Sequence, residues 1–189
     1  MKKIFMLITI IASMMFVVSC ASSDATGTGT AVQNELAGAP EWVLGNSNGD
    51  GKICGTGSAA GTRNPSLART AAMGRGRTEI ARTLSVKVKS MLKDYQSTTT
   101  GGKDFGKAAN DEQHIEDVSK QITNNSISGS ELEKTWISKT GTLYVLMCVD
   151  LNKFKDLVNQ MQQLDEKTRQ AIVERADKAF NELDKETSK

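Results

Sequence analysis

Apolar residues follow different rules in successive parts of the chain. From residue 4 to residue 18 they run almost unbroken through Ile, Leu, Met, Phe and Val, interrupted by Thr9, Ala12 and Ser13. Residues 21–38, ASSDATGTGTAVQNELAG, have no apolar period and read as a flexible tether. Helical periodicity then takes over: Met73, Ile80, Leu84, Val88, Met91 and Tyr95 recur at helical spacing, with Leu92 beside them, and Pro65 and Ser66 stand where a helix starts. Residues 98–109 read as a Gly, Thr and Lys-rich loop, and 114–126 fit helix and strand equally well. Leu132 and residues 135–139 lead through Thr140-Gly141 into Leu143-Tyr144-Val145-Leu146-Met147-Cys148-Val149, the pattern of a β-hairpin. After Asp150, placed as an N-cap, Phe154, Leu157, Val158, Met161 and Leu164 predict one amphipathic helix. Ile172, Ala176, Ala179, Phe180 and Leu183 predict another over 165–186. A lone hairpin is marginal, so helices must cover it. The predicted class is α+β: a small antiparallel sheet covered on one face by a long N-terminal helix, followed by C-terminal amphipathic helices. The domain spans 39–151 and a helical extension 152–189.

The opening run, preceded by Lys2 and Lys3, has the charge and length of a secretory signal peptide. It is shorter than the ~20 residues a bilayer-spanning helix needs, and small residues rather than a stop-transfer cluster follow it. It closes on Val17-Val18-Ser19-Cys20, which looks like a bacterial lipobox. Processing is then expected to remove residues 1–19, leaving a diacylglycerol thioether on Cys20 and an acyl chain on its freed amine. Two or more chains hold a protein stably to a bilayer where one is marginal. Ala21 follows the cysteine where aspartate would favour inner-membrane retention, so the expected site is the cell outer membrane, with the domain periplasmic or surface-facing.

Charge then removes some partners. The 24 Lys and Arg exceed the 22 Asp and Glu by two, and Lys2 and Lys3 leave with the signal, so the mature chain is formally neutral. Nothing in that balance implies nucleic acid. Local charge is less even: residues 63–93 hold Arg63, Arg69, Arg75, Arg77, Arg82, Lys87, Lys89 and Lys93 against Glu79 alone, whereas 104–133 are acidic. The basic face is expected to find its partners within the chain. Arg77 falls inside the apolar stripe among Met73, Ile80 and Leu84, where an unpaired charge is costly. An internal ion pair with an acid from 111–133 is the favoured expectation, ahead of snorkelling and of contact with a partner protein. Trp136, at a strand centre, is expected on the buried face of the hairpin against the covering helices. With Cys20 lipidated, Cys54 and Cys148 remain in an oxidising compartment. They can bridge, but their apolar strand-like surroundings favour two unpaired core residues.

Other motifs carry little chemistry. Asn46, Asn48, Asp50 and Gly51 imitate the opening of a calcium loop, but Gly57 stands where its bidentate glutamate belongs. The glycines at 55, 57 and 61 match neither phosphate-binding spacing, since Thr62-Arg63 follows them. His114, the single histidine, has no ligand spacing around it, and no nucleophile elbow or zinc pattern occurs. No metal, cofactor beyond the covalent lipid, or small-molecule substrate is expected.

A resemblance then adds to this. Ala39-Pro40-Glu41-Trp42-Val43, Gly55-Thr56-Gly57-Ser58-Ala59, Arg77-Thr78-Glu79-Ile80-Ala81-Arg82, Ile127-Ser128-Gly129 before Trp136, and Gly141-Thr142-Leu143-Tyr144-Val145-Leu146 together resemble the Lpp-twenty family of bacterial lipoproteins. Gly74 and Gly76 replace alanines expected there, which puts helix regularity in question at about 1 kcal/mol each. The resemblance implies a compact α+β domain without catalytic residues. Some relatives serve flagellar assembly and one group contains a surface antigen. The expected function is therefore a non-enzymatic scaffold or interaction module of an envelope or flagellar structure, bound to the membrane through its lipid and to other envelope proteins or its own copies. A surface adhesin or antigen is the alternative, and a periplasmic hydrolase the rival from another class.

Overall fold

The computed structural model describes residues 25–45, 51–100 and 109–187. The signal run, Cys20, residues 46–50 of the calcium-like turn and residues 101–108 of the Gly-rich loop lie outside the described residues. Two compact units divide the chain after Leu36.

The first unit contains helix α1 (Ala25–Glu35). Part of the expected flexible tether is therefore helical. The missing apolar period excludes a packed helix rather than any helix, and residues 29–34, Val32 included, are exposed.

In the second unit a 3-10 turn, Glu41–Leu44, precedes strand β1 (Lys52–Ala59). Helix α2 (Pro65–Thr100) follows, then α3 (Ala109–Ser128), β2 (Glu131–Ile137), β3 (Leu143–Asp150), α4 (Leu151–Gln160) and α5 (Glu166–Thr187). The strands form an antiparallel sheet in the order β1-β3-β2. The hairpin turns at Gly141, whose φ of 91° suits glycine, and Ser138 N–H donates to the Thr142 carbonyl at 2.9 Å. Residues 114–126 resolve as helix, burying Ile115, Val118 and Ile122. Asp150 caps α4 as expected, accepting from the amides of Asn152 and Lys153.

Asn64 starts α2 by accepting from the amides of Ser66 and Leu67 at 3.0 and 3.2 Å. The helix then runs without a break to Thr100, past the glycines and beyond the apolar stripe's end at Tyr95. Its buried face changes character along its length. Ala68, Ala72 and Gly76 are small where the helix meets the sheet, and Ile80, Leu84, Val88 and Met91 continue the buried face into the core shared with the other helices. Small residues are needed where helix meets strand. A Cβ on Gly55 would lie 2.9 Å from Glu79 Cβ and from the Ile80 nitrogen, and one on Gly57 would fall 3.1 Å from the Ala72 carbonyl carbon. Gly76 sits equally close to the Gly55 carbonyl oxygen, so its helix-propensity cost is offset by this approach, whereas Gly74 meets nothing.

The expected helical extension is integral to this core. Phe154, Val158, Ile172, Ala176 and Phe180 join Leu84 and Val88 in one buried cluster, and the Phe154 and Phe180 rings lie 5.2 Å apart. Each fully buried aliphatic contributes about 1.5–3 kcal/mol.

Candidate functional site

Helix α2 lies across β1 and β3, leaving part of β2 uncovered. Leu132, Thr135 and Ile137 oppose Met147, Val145 and Leu143, so they project to the helix side of the sheet. Thr135 and Ile137 nevertheless remain exposed, Ile137 by 65 %. Between them and the start of α2 runs an open groove of about 890 Å³. Ala68, Leu132, Ile137 and Leu143 give it an apolar lining, and Arg63, Arg69 and Lys134 give it positive charge. Among the described residues none of these three cations is in an ion pair. The acid in the lining, Glu133, pairs with Lys52. A bulge between Leu132 and Lys134 kinks the strand here.

The opposite face of the sheet carries a second, smaller cluster. Trp42 from the 3-10 turn packs with Cys54, Leu146 and Cys148, and half-buried Trp136 and Tyr144 border it, their rings 5.3 Å apart. Thr56 Oγ1 donates to the Trp42 carbonyl at 2.9 Å, pinning the turn to β1. Trp136 therefore does not pack beneath the helices as expected. Its register partner is Tyr144, one position out of phase with the core-facing Val145. Cys54 and Cys148 lie opposite each other in β1 and β3 and are joined by a disulfide with a Cα separation of 4.0 Å. The two unpaired cysteines favoured from their apolar strand-like surroundings are thus replaced by a bridge between register partners.

Arg77 is half-buried in α2, and its Nε donates to Ser130 Oγ at 3.2 Å. Among the described residues it meets no carboxylate, so the expected ion pair is replaced by a hydroxyl contact just after α3. The acidic segment does meet the basic helix, but one face over: Lys89 pairs with Glu116 at 2.6 Å. That hydrogen bond holds the Glu116 carboxyl below its usual range. Arg82 pairs with Glu79 at 2.7 Å and Arg175 with Asp94 at 2.9 Å, while Arg75 donates to the Ser58 carbonyl.

Glu131, Glu133 and Asp150 line a small cavity of about 160 Å³ with Lys52 and Lys153. Each carboxylate is committed: Glu133 to Lys52, Glu131 to Lys153, Asp150 to the α4 amides. This describes a buttress where β1, β2 and α4 meet. His114 is exposed on α3, and among the described residues no three His, Cys, Asp or Glu converge as a metal site.

The groove was invisible in the sequence because its halves are about seventy residues apart. The one available signal was Ile137, an apolar residue on a strand otherwise rich in charge. Among curated proteins none matches the chain. The family model described as LPP20 lipoprotein matches residues 40–150, from the 3-10 turn through the end of β3, both bridged cysteines and the groove included. That span is well over half of the sequence, and the chain belongs to the LPP20 lipoprotein family.

Proposed function

We propose that this protein is a lipid-anchored scaffold or interaction module of the bacterial outer membrane that works through protein contacts. The observation carrying this reading is the uncovered apolar and cationic groove beside β2, on a domain whose other charged clusters are largely spent on internal pairs. Specific protein contacts gather around such exposed apolar surface with a polar rim. The LPP20 family is not a known enzyme family, which agrees with a role in contact rather than catalysis. Attachment is assigned to Cys20, whose lipobox context supports it.

Two experiments test the reading. Cys20→Ala removes the sulfur that would take the lipid, so the variant is expected to accumulate as unlipidated precursor that keeps its apolar signal run. Wild-type detergent partitioning by the variant with no residual precursor present would overturn the anchor. Photo-crosslinkers placed over the folded domain in living cells are expected to yield discrete adducts with envelope proteins, and their absence at every position would overturn the interaction role. Protease shaving of intact cells separates a periplasmic scaffold, which stays protected, from a surface adhesin or antigen.

A further inference from the structure

We infer that the groove beside β2 binds an extended acidic peptide of an envelope partner, which adds to the sheet as a fourth strand. This rests on the proposed role in protein contacts and gives the partner's chemistry.

Three observations converge. First, β2 is an edge strand, hydrogen-bonded to β3 on one side only. An extended peptide satisfies such an edge with its own main chain, and pockets for its side chains then give specificity. Second, the groove has surfaces for both sides of an added strand. Side chains pointing to the helix side would reach Ala68 and Ile137, and those pointing away would reach Lys134 and Trp136. Third, its charge is one-sided. Arg63, Arg69 and Lys134 are exposed and unpaired among the described residues, whereas Arg82, Lys89 and Arg175 have acids of their own. The mature chain is formally neutral, so this local excess of positive charge selects an anionic occupant.

Two other occupants fit less well. A second copy docking the same edge symmetrically would set Arg63, Arg69 and Lys134 against their own counterparts, a like-charge arrangement that disfavours it. An anionic lipid would meet the cations and the apolar floor but leave the strand edge unsatisfied.

The test uses the full mature chain in detergent and three fluorescent eight-residue peptides. One alternates glutamate with valine, one alternates lysine with valine, and one is the glutamate peptide with alternate backbone nitrogens methylated. The acidic peptide is expected to bind about tenfold or more tightly than either control, because the first lacks the charge and the second the hydrogen-bonding edge. Arg63→Glu with Arg69→Glu, and separately Ile137→Asp, are expected to weaken its binding about tenfold while leaving the thermal midpoint unchanged, since all three residues are exposed. Equal binding of acidic and lysine peptides, or binding by neither, would overturn the inference. So would charge-sensitive binding to phosphatidylglycerol vesicles without peptide binding, which would make the groove a lipid site. If the peptide test fails while cellular crosslinks persist away from the groove, only the groove assignment falls. If crosslinks vanish everywhere, the contact role falls with it.

Discussion

The two faces of the sheet are stabilised in different ways. On the helix side, Ile53, Val145, Met147 and Val149 pack into a core that α2, α3, α4 and α5 all share. On the other side, Trp42, Leu146 and the bridged cysteines form a cluster that, among the described residues of this unit, is covered by a 3-10 turn, with Trp136 and Tyr144 only half-buried. A face with α2 and α4 against it, backed in turn by α3 and α5, is held by burial and close packing. A face with so little cover gains most from a covalent link, and the disulfide lies on that side, tying the strand from before α2 to the strand after α3. Apolar strength and covalent strength are thus divided between the two surfaces of one three-stranded sheet.

Removing the covalent part should have the largest effect. The bridge joins residues 94 apart, and closing a loop of that size restricts the unfolded chain by about 4 to 5 kcal/mol. Cys54→Ala with Cys148→Ala is expected to lower stability by about that amount in urea unfolding. The oxidised wild type treated with a reductant should move towards the same midpoint. An unchanged midpoint in the double variant would show that the outer face is held by its aromatics, and the contrast between the faces would fail.

On the helix side the corresponding weakness is a glycine. Gly57 faces the backbone of Ala72 and Gly76, and backbone cannot rotate out of the way as a side chain can. Gly57→Ala is expected to cost about 3 kcal/mol, at the upper end of overpacking effects, with near-native secondary structure by circular dichroism. Gly74→Ala should do the reverse, stabilising by about 0.5 to 1 kcal/mol, since a Cβ there meets open space in a helix. Equal responses from the two glycines would show that β1 can move away from α2.

These two positions also show how far the sequence could be read. The large residues of α2, from Ile80 to Met91, and those of α4 and α5 announced their faces through helical spacing. Ala68, Ala72 and Gly76 did not, because a search for apolar period passes over small residues whose role is to let backbones approach. The strand they meet was obscured in the same way: Gly55 and Gly57 look like loop residues until a helix lies across them. The hairpin was legible in Thr140-Gly141 and its flanks. The face of Trp136 was not, because one step of register reverses it and a bulge at Leu132/Lys134 shifts the count. The bridge and the groove depend on bringing residues 54 and 148, or 63 and 137, together, and no local pattern encodes that. Arg77 is half-buried beside the apolar stripe, and its contact is a hydroxyl where a carboxylate was expected.

Trp136→Ala measures how lightly the outer face is covered. Buried beneath helices, such a change would cost about 3 to 5 kcal/mol. Half-buried and tilted against the Tyr144 ring, Trp136 is expected to contribute only about 1 to 2 kcal/mol. Thermal unfolding distinguishes these values. Because the same ring lines the groove, the variant should also lose acidic-peptide binding by more than its small loss of stability explains. A loss near 4 kcal/mol would mean the outer face is as well packed as the inner one.

The smallest expected loss of stability lies on the helix side, at the start of α5. Asp165 accepts from the Thr168 hydroxyl at 2.5 Å and from the Thr168 amide at 2.9 Å, capping the helix that carries Ile172 and Phe180 into the core. These bonds favour the carboxylate and hold its pKa below the usual value, the Thr168 hydroxyl contributing most. A depressed folded pKa gives stability that is present above the unfolded value, near 3.9 for aspartate, and is lost as pH falls through the folded value. Asp165→Ala should therefore cost about 1 kcal/mol at neutral pH, and the difference from wild type should shrink as pH falls below about 4. Glu116 shifts in the same direction, but its first cause is the hydrogen bond from Lys89 across a partly exposed ion pair. Salt should weaken that exposed pair and leave the Asp165 cap nearly untouched, since the cap rests on bonds to a neutral hydroxyl and an amide. Stability measured at neutral and acidic pH, each at low and high salt, separates the two. If the Asp165→Ala difference persisted undiminished into acid, the aspartate would be acting through packing rather than as a charged cap.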